Sequence, residues 1–504
     1  MVKMWTTVLC TLIYLVSSVI TSHDFEKVLE ERNYLIQKGL DLMLGSEIVL
    51  SDNEEKANKI IMELKEKEID YGFVNPQYYN FSNHFFEYKE QVKKSELFKI
   101  IQKMPKGAVL HAHDTGILSP DYVVSLTYLD NLFVCFEENN IQFLFSLETP
   151  TSPCNTAWQL MRDARYSSGN VEKFDANLKK HFSIVIDNPH EVYTNVNAVW
   201  SEFQQYFIAT TGLFTYKPVW EKYFYDSLLA FREDNVMYVE MRSVLPDLYD
   251  LYGNEYDILD TAASYKKVSE EFVKDYPDFF GAKLIYAPLR AVDIETVKEY
   301  ISIARKLKEN FPDFFAGFDL VGQEDLGSPI KDFLEVLYET GDDLNYFFHA
   351  GETNWHGMTT DENLVDAIVL NTRRIGHGYA IIKHPLLIEE VKKRNIALEV
   401  NVISNAVLEL VGDIRNHPLA AFLATNLPVV ISSDDPGVWE SEPLTHDFYV
   451  TFVGVASRRA DLRLLKKLAL NSLYYSEYSN KDQIVHEFEI KWTRFIESIV
   501  KTQW

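Results

Sequence analysis

The sequence predicts an α/β protein whose main domain is a (β/α)8 TIM barrel. From residue 107 onward, eight short apolar runs alternate with helical stretches, and this alternation is what such a barrel requires. In seven of the eight runs, polar residues gather at the C-terminal end, which carries the active site in this fold. A doubly wound open sheet is the alternative, but no G-x-G-x-x-G sequence follows any of the runs. The runs are GAVLHAH (107–113), VMYVEMR (236–242), AKLIYAP (282–288), AGFDLVG (316–322), YFFHAGE (346–352), RRIGHGY (373–379), IALEVNV (396–402) and PVVISSDD (428–435).

Composition and charge indicate an ordered protein that does not act on nucleic acid. The chain has 504 residues, of which 47% are hydrophobic, 14% aromatic and 25% charged, as in globular proteins. Its formal net charge is −26, and it has no long basic run that could neutralise phosphates. This charge favours a neutral or cationic small substrate.

The first 22 residues, MVKMWTTVLCTLIYLVSSVITS, have the pattern of a secretory signal peptide with cleavage near residues 18–22. One lysine precedes an apolar stretch from Trp5 to Ile20, and small residues follow it. An uncleaved signal anchor is the alternative, but the stretch is shorter than the ~20 residues that a membrane-spanning helix needs. We therefore expect a secreted, extracellular protein with no membrane segment after cleavage.

The cysteines agree with secretion. Once Cys10 is removed with the signal peptide, only Cys135 and Cys154 remain. In an oxidising compartment two such cysteines most simply pair, and two buried free thiols are the alternative. The sequon Asn80-Phe81-Ser82 makes Asn80 a candidate N-glycosylation site.

Two further regions flank or interrupt the predicted barrel, which we assign to residues 104–504. Residues 24–70 are rich in Glu, Lys, Leu and Ile at helical spacing. They predict amphipathic helices within an N-terminal region, residues 23–103, that forms a cap or an oligomerisation element. More than 100 residues separate the first two runs, which is too many for one crossover. We therefore expect an inserted subdomain at about 127–190 that contains both cysteines.

Four side chains at the ends of these runs form a candidate metal site. Residues i and i+2 of a strand share a face, so His111 and His113 can hold one metal ion from the same side. His349 and Asp434 also lie at the ends of predicted strands. Three imidazoles and one carboxylate suit zinc, with a position left for water. An H-x-H pair alone is more simply two satisfied or surface histidines.

Glu352 and His377 are not needed as ligands and have the character of an acid–base pair. Zinc lowers the pKa of bound water towards 7, and His377 can take or orient its proton. Glu352 can then deliver a proton to an atom that becomes basic during attack. A solvated Glu352 is the alternative. The other histidines have the surroundings of surface or helical sequence and receive no role: they are at positions 23, 84, 181, 190, 356, 384, 417, 446 and 486.

Four motifs, MPKGAVLHAHDTG, FHAGETNW, TRRIGHGYA and SSDDPGVW, resemble the adenosine deaminase family. Within it, the chain is similar to the secreted branch, the adenosine deaminase-related growth factors. The resemblance implies one zinc ion per subunit on His111, His113, His349 and Asp434. It also implies that Glu352 protonates purine N1 and that His377 is the base or orienter of the attacking hydroxide. Substrate contacts follow from it too: Asp435 with N7, the backbone of Gly322 with the N3 edge, and Asp114 and the segment opening with Trp200 with the ribose side.

The resemblance further implies the reaction and the partners. Hydroxide would attack carbon 6 of adenosine or 2′-deoxyadenosine and release ammonia, leaving inosine or 2′-deoxyinosine. The N-terminal helices would form a homodimer, and the insertion would bind a receptor or glycan. Leu289 departs from the family, which often has histidine there, and Asn401-Val402 stand where Cys-Pro is common. Both departures leave the chemical groups intact.

Two other functions stay open from the residues. An adenine or AMP deaminase could use the same metal set, and AMP would need cations such as Arg242 and Arg290 near the ribose 5′ position. A growth factor or binding protein could instead retain the barrel without catalysis. The presence of both Glu352 and His377 counts against this second alternative.

Overall fold

A computed structural model describes residues 25–138 and 140–502 of the chain. The predicted signal peptide and His23 lie outside the described residues. Within the described part, no helix is both long enough and apolar enough to cross a membrane.

The helices predicted within residues 24–70 are present and precede the first strand. Ser51 starts the longer one: its side chain accepts from the Glu54 N–H, and the Glu54 carboxylate accepts from the Ser51 N–H at 2.8 Å. This reciprocal capping satisfies amide groups that a helix start leaves unpaired. The four helices of this region are α1 (25–41), α2 (Asp52–Val74), α3 (Phe85–Val92) and α4 (Glu96–Lys103).

The first predicted run forms a strand, and a long mixed segment follows it. This part comprises β1 (Gly107–His113), α5 (Pro120–Leu126), β2 (Leu132–Phe136), β3 (Ile141–Phe145), β4 (Gln159–Leu160), α6 (Met161–Ser167), α7 (Val171–Lys179), α8 (Pro189–Val192), α9 (Val196–Phe214) and α10 (Lys217–Glu233).

From residue 236, strands and helices alternate to the C-terminus. The strands are β5 (Val236–Ser243), β6 (Leu248–Tyr249), β7 (Glu255–Tyr256), β8 (Ala282–Tyr286), β9 (Phe315–Phe318), β10 (His349–Ala350), β11 (Arg374–His377), β12 (Ala397–Val400) and β13 (Val429–Ile431). The helices are α11 (Ile258–Asp275), α12 (Ile294–Asn310), α13 (Leu334–Tyr338), α14 (Asn363–Val369), α15 (Pro385–Arg394), α16 (Val402–Val407), α17 (Leu419–Ala424), α18 (Thr445–Val450), α19 (Leu462–Tyr474) and α20 (Lys481–Lys501).

Each of the eight predicted runs contains a strand, and these strands form two parallel sheets. One sheet has the order β1-β5-β8-β9 and the other β10-β11-β12-β13. Isolated parallel bridges pair Ala112 with Asp434 and Phe318 with Tyr346, at the outer edges of the two sheets. Val109 and Leu110 are fully buried although neighbouring strand residues point to opposite faces. Burial on both faces is typical of parallel strands covered by helices.

The segment after β1 contains the predicted disulfide. β2, β3 and β4 form an antiparallel sheet in the order β3-β2-β4. Cys135 on β2 is bonded to Cys154, 19 residues along the chain. The cysteines are therefore paired rather than free. Closing a loop of this length stabilises the fold by about 3 kcal/mol in the chain-entropy model.

Candidate metal centre and active site

The structure brings the predicted metal ligands and the acid–base pair to the C-terminal ends of the parallel strands. His111 and His113 lie on β1, His349 begins β10, and His377 ends β11. The ring centroid of His111 lies 4.5 Å from that of His349, 5.5 Å from His113 and 4.9 Å from His377. Asp434 follows β13 and bridges to β1. Side chains far apart in sequence thus share one small volume.

The backbone at this edge has unusual conformations that aim the side chains inward. His377 has φ 59° and Asp434 has φ 61°, in the left-handed region that few residues other than glycine adopt. Gly376 allows the rings to approach, since a Cβ there would lie 3.1 Å from His111 Cε1. Strained backbone of this kind clusters at functional sites.

The donor atoms of His111, His113 and Asp434 fit a metal ion. Asp434 Oδ1 lies 3.3 Å from His111 Nε2 and 3.2 Å from His113 Nε2. Ligands about 2.0–2.2 Å from a tetrahedral zinc ion are separated by about this distance. His111 Nε2 and Asp434 Oδ1 are buried and have no hydrogen-bond partner among the described residues. Buried polar atoms without partners are costly, so this pair is explained by a cation held between them.

Buried carboxylates orient two of these histidines. Glu399 lies 2.8 Å from His111 Nδ1, and Asp319 lies 2.6 Å from His349 Nδ1. Arg242 donates to both carboxylates, at 2.8 Å to Asp319 and 2.7 Å to Glu399. A carboxylate can only accept hydrogen bonds, so Nδ1 of each of these two rings carries the proton. Nε2 of the same ring then has a free lone pair for a metal ion.

The ionisation of these groups agrees with ligand binding. Burial raises the pKa of Asp319, but His349 and Arg242 outweigh it and hold that pKa well below its usual range. Burial also raises the pKa of Glu399, but Arg242 and Arg374 outweigh this effect and hold that pKa well below its usual range. Burial lowers the pKa of His349 to about 3, so its ring is neutral, as a metal ligand must be.

Sequence reasoning missed Asp319 and Glu399 and gave Arg242 a different role. A signal was available, because each carboxylate is the single charged residue inside an apolar run, AGFDLVG or IALEVNV. A charge in a buried strand needs a partner, and here that partner is a ligand histidine and an arginine.

His377 also lies within reach of the metal centre. Its Nε2 is 3.8 Å from Asp434 Oδ2, which accepts from the Ser404 hydroxyl at 2.7 Å. Donor atoms of His111, His349, His377 and Asp434 all fall within 4.8 Å of one another. His113 groups instead with Asp434 and Asp435, so this grouping favours His377 as the remaining imidazole ligand, whereas the short contact with Asp434 Oδ1 favours His113.

Glu352 is a buried carboxyl group beside His377. The backbone N–H groups of Gly351 and Glu352 donate to the Glu324 carboxylate at 2.9 and 2.6 Å, which fixes the start of this loop. Glu352 Oε1 lies 3.5 Å from His377 Nδ1. Burial raises the pKa of Glu352 well above its usual value, and the nearby Asp434 and Glu324 raise it further. These surroundings favour the protonated form of Glu352, which can donate a proton.

A cavity of about 640 Å³ opens beside these groups, and all four predicted substrate-contact residues line it: Asp114, Trp200, Gly322 and Asp435. Burial, and then Asp434, raise the pKa of Asp435 well above its usual value, so this carboxyl group can donate a hydrogen bond. Burial raises the pKa of Asp114 to about 6, and its carboxyl accepts from the Tyr265 hydroxyl at 2.7 Å. Leu289, which replaces the family's frequent histidine, lines the cavity and is 56% exposed.

The two arginines considered for a 5′ phosphate are both buried. Arg242 is fully buried between Asp319 and Glu399. Arg290 is also buried, and it donates to the backbone carbonyls of Leu320 and His349 at 3.0 and 2.7 Å. Neither arginine supports binding of AMP.

The remaining histidines were expected in surface or helical positions, and this expectation is wrong for His84 and His417. His84 and His417 are buried, as is His446 in helix α18. His417 is connected to the candidate site, which its surroundings in the sequence (RNHPLA) do not indicate.

Two family models match the chain. The model described as adenosine deaminase matches residues 175–489, and the model described as adenosine/AMP deaminase N-terminal matches residues 6–101.

Solved structures with a similar fold include Arabidopsis ADAL complexed with IMP, with a TM-score of 0.56 at 17% identity over 78% of this chain and 99% of that chain. An amidohydrolase from Burkholderia ambifaria with bound Zn has a TM-score of 0.53 at 17% identity, over 81% of this chain and 95% of that chain. At such identities the likeness concerns the fold alone, an α/β fold of amidohydrolase type.

Similarity to curated relatives extends over nearly the whole chain. The chain is 45% identical to the adenosine deaminase of Lutzomyia longipalpis over 486 residues, covering 95% of each chain. It is 41% identical to adenosine deaminase 2 of Homo sapiens over 479 residues, covering 93% of each. With a family model covering more than half of its residues and these identities over more than nine tenths of its length, the chain belongs to the adenosine deaminase family.

Proposed function

We propose that the protein is a zinc-dependent adenosine deaminase that hydrolyses adenosine and 2′-deoxyadenosine to inosine and 2′-deoxyinosine. The observation that carries the proposal is a buried His/Asp donor set next to Glu352, a carboxyl group whose burial raises its pKa, in one cavity. The names of the relatives reported above support the same activity.

His111, His113, His349 and Asp434 would hold one zinc ion per subunit. When bound, zinc lowers the pKa of a coordinated water towards 7 and so supplies a nucleophile at neutral pH. The protein orients this set through the Nδ1 contacts of His111 with Glu399 and of His349 with Asp319. Partners of this kind typically change metal affinity or activity 10–100-fold, an order-of-magnitude effect.

The remaining groups act on the purine. A new bond forms between the attacking hydroxide oxygen and carbon 6 while Glu352 delivers its proton to N1. The proton of that oxygen then passes to the amino nitrogen, and the bond from carbon 6 to this nitrogen breaks to release ammonia and leave a carbonyl group. His377 orients the attacking oxygen or accepts its proton. Asp435 in its protonated form would donate to N7, and the backbone of Gly322 would meet the N3 edge. Asp114 and Trp200 would contact the ribose side.

Substrate choice separates the candidate activities. Purified protein is expected to lower the absorbance of adenosine near 265 nm. It should not act on AMP, because no cation is free at the cavity among the residues discussed, nor on adenine, which lacks the ribose that Asp114 and Trp200 would contact. A chelator should abolish the activity, and added zinc should restore it. Turnover of AMP without adenosine would establish the alternative deaminase. No turnover with zinc bound would instead favour a binding protein.

Several properties follow as proposals from the same family assignment. The eight parallel strands would close into a TIM barrel through the bridges at Ala112 and Phe318. Residues 23–103 would form the dimerisation region, residues 104–504 the deaminase barrel, and residues 127–190 an inserted subdomain that binds a receptor or glycan. The protein would be secreted after loss of residues 1–22, with a glycan on Asn80.

The homodimer has specific support in helix α1. Its apolar side chains include Phe25, Val28, Tyr34 and Leu35, all exposed in the single chain. Exposed apolar clusters on soluble proteins mark interaction sites. Light scattering is expected to give the mass of a dimer, and the double change Val28→Glu and Leu35→Glu should give a monomer. The matched control Val49→Glu, on an exposed valine outside α1, should leave the dimer intact; a monomeric native protein would refute the proposal.

A further inference from the structure

A chain of hydrogen bonds runs from the back of the site to His377. Asn405 Nδ2 lies 3.1 Å from His377 Nδ1, and Asn405 Oδ1 lies 3.0 Å from His417 Nε2. At the far end, the backbone N–H of Leu419 donates to His417 Nδ1 at 3.0 Å. All three side chains are buried, at 2% exposure or less.

The direction of every bond in this chain is set by the Leu419 amide, which can only donate. His417 Nδ1 must therefore accept. Burial keeps His417 neutral by lowering its pKa to about 3, so its single ring proton is on Nε2. That N–H donates to Asn405 Oδ1, which orients the carboxamide so that its NH2 group donates to His377 Nδ1.

His377 thus differs from the two histidines that contact carboxylates. At His111 and His349 a carboxylate accepts from Nδ1–H, which leaves Nε2 unprotonated. At His377 an amide donates to Nδ1, which leaves the ring proton on Nε2. Glu352 Oε1 also faces Nδ1, but at 3.5 Å it is farther away than the amide. The Nε2 of His377 faces Asp434 Oδ2 at 3.8 Å.

We propose that Asn405 and His417 are positioning residues that hold His377 in its Nε2–H tautomer, so that His377 donates a hydrogen bond to the attacking oxygen and neither binds the metal nor removes a proton. This inference rests on the proposed function for its role in the reaction. The tautomer itself depends only on the buried hydrogen bonds.

The side chains allow a matched set of variants. Asn405→Asp has nearly the same shape, but its carboxylate can only accept, so it forces the proton of His377 onto Nδ1. We expect kcat for adenosine to fall on the order of 10²–10⁴-fold, the range that a wrong histidine tautomer costs. KM and zinc content should change little, whereas a merely structural role would lower the zinc content.

His417 offers a second, milder pair. His417→Asn keeps an acceptor for the Leu419 N–H but loses the donor to Asn405, so kcat should fall about tenfold, as for the loss of one hydrogen bond. His417→Gln keeps a donor near the position of Nε2 and should recover most of kcat. Equal losses in both variants, or a wild-type kcat in Asn405→Asp, would overturn the proposal.

15N NMR of the native protein, with its histidines labelled with 15N, tests the tautomer directly. It requires neither an activity measurement nor changes to Asn405 or His417. Protonated and bare ring nitrogens resonate in separate regions, and the His377 signals are assigned by their loss in His377→Gln. We expect Nε2 of His377 to be protonated and its Nδ1 to be unprotonated. A proton on Nδ1 overturns the inference. If the native protein fails to deaminate adenosine while the spectrum shows Nε2–H, the proposed function fails and the tautomer stands.

Discussion

Replacing Glu352 with glutamine is expected to lower kcat for adenosine by several orders of magnitude while leaving one zinc ion bound per chain. Glutamine has the same shape as the buried carboxyl group but has no acidic proton to deliver to N1. Loss of a general acid typically costs on the order of 10²–10⁴ in rate. Because Glu352 is not a ligand in the proposed set, metal content should not change, and kcat and kcat/KM should fall together.

A matched control for this variant lies on the same loop. Glu362 is exposed and ten residues further along, so Glu362→Gln should leave kcat unchanged. Steady-state kinetics and metal analysis of both variants measure the effect. A Glu352→Gln enzyme with near-native kcat, or one that has lost its zinc, would show that Glu352 is not the proton donor.

The second large effect expected is loss of zinc from the His113→Asn protein. His113 Nε2 lies 3.2 Å from the same oxygen, Asp434 Oδ1, that His111 Nε2 meets at 3.3 Å. His377 lies close to His111 and His349, but its Nε2 is 3.8 Å from the other oxygen of Asp434 and is expected to be protonated, which would prevent it from binding the metal. Dialysed His113→Asn protein should therefore hold well below one zinc per chain and lose its activity.

Two other variants complete this comparison. His377→Asn should retain one zinc per chain but lose activity. His356→Asn should retain both zinc and activity, since the exposed His356 belongs to a separate group with Asp361 and His384. Zinc content by elemental analysis decides between the two possible ligand sets. Loss of zinc from His377→Asn, with zinc kept in His113→Asn, would reverse the assignment.

Local sequence patterns predicted much of the architecture. The apolar runs became strands because β-branched residues buried on both faces suit parallel sheets. The helices of residues 24–70 followed from their apolar spacing, and the cysteine pair from the expected compartment. The H-x-H spacing placed His111 and His113 on one face of β1, since side chains alternate along a strand.

The surroundings of these side chains were not predictable from local patterns. Arg242 was considered a phosphate ligand because its charge is visible in the sequence, whereas its burial between Asp319 and Glu399 is a product of packing. His417 was given no role, although it contacts Asn405 and through it His377. Both contacts join residues from different helices, strands or loops, whereas the periodicity of hydrophobic residues describes only one helix or strand at a time.

The sequence by itself determined which chemical groups are present and that they lie at the C-terminal ends of buried strands. Only the tertiary structure decided the state of each group. Burial favours the protonated form of Glu352, and the partner at Nδ1 decides which ring nitrogen of His111, His349 or His377 is unprotonated. Protonation and tautomer depend on the solvent, charges and hydrogen-bond partners within a few ångströms, and folding brings those neighbours together from distant parts of the chain.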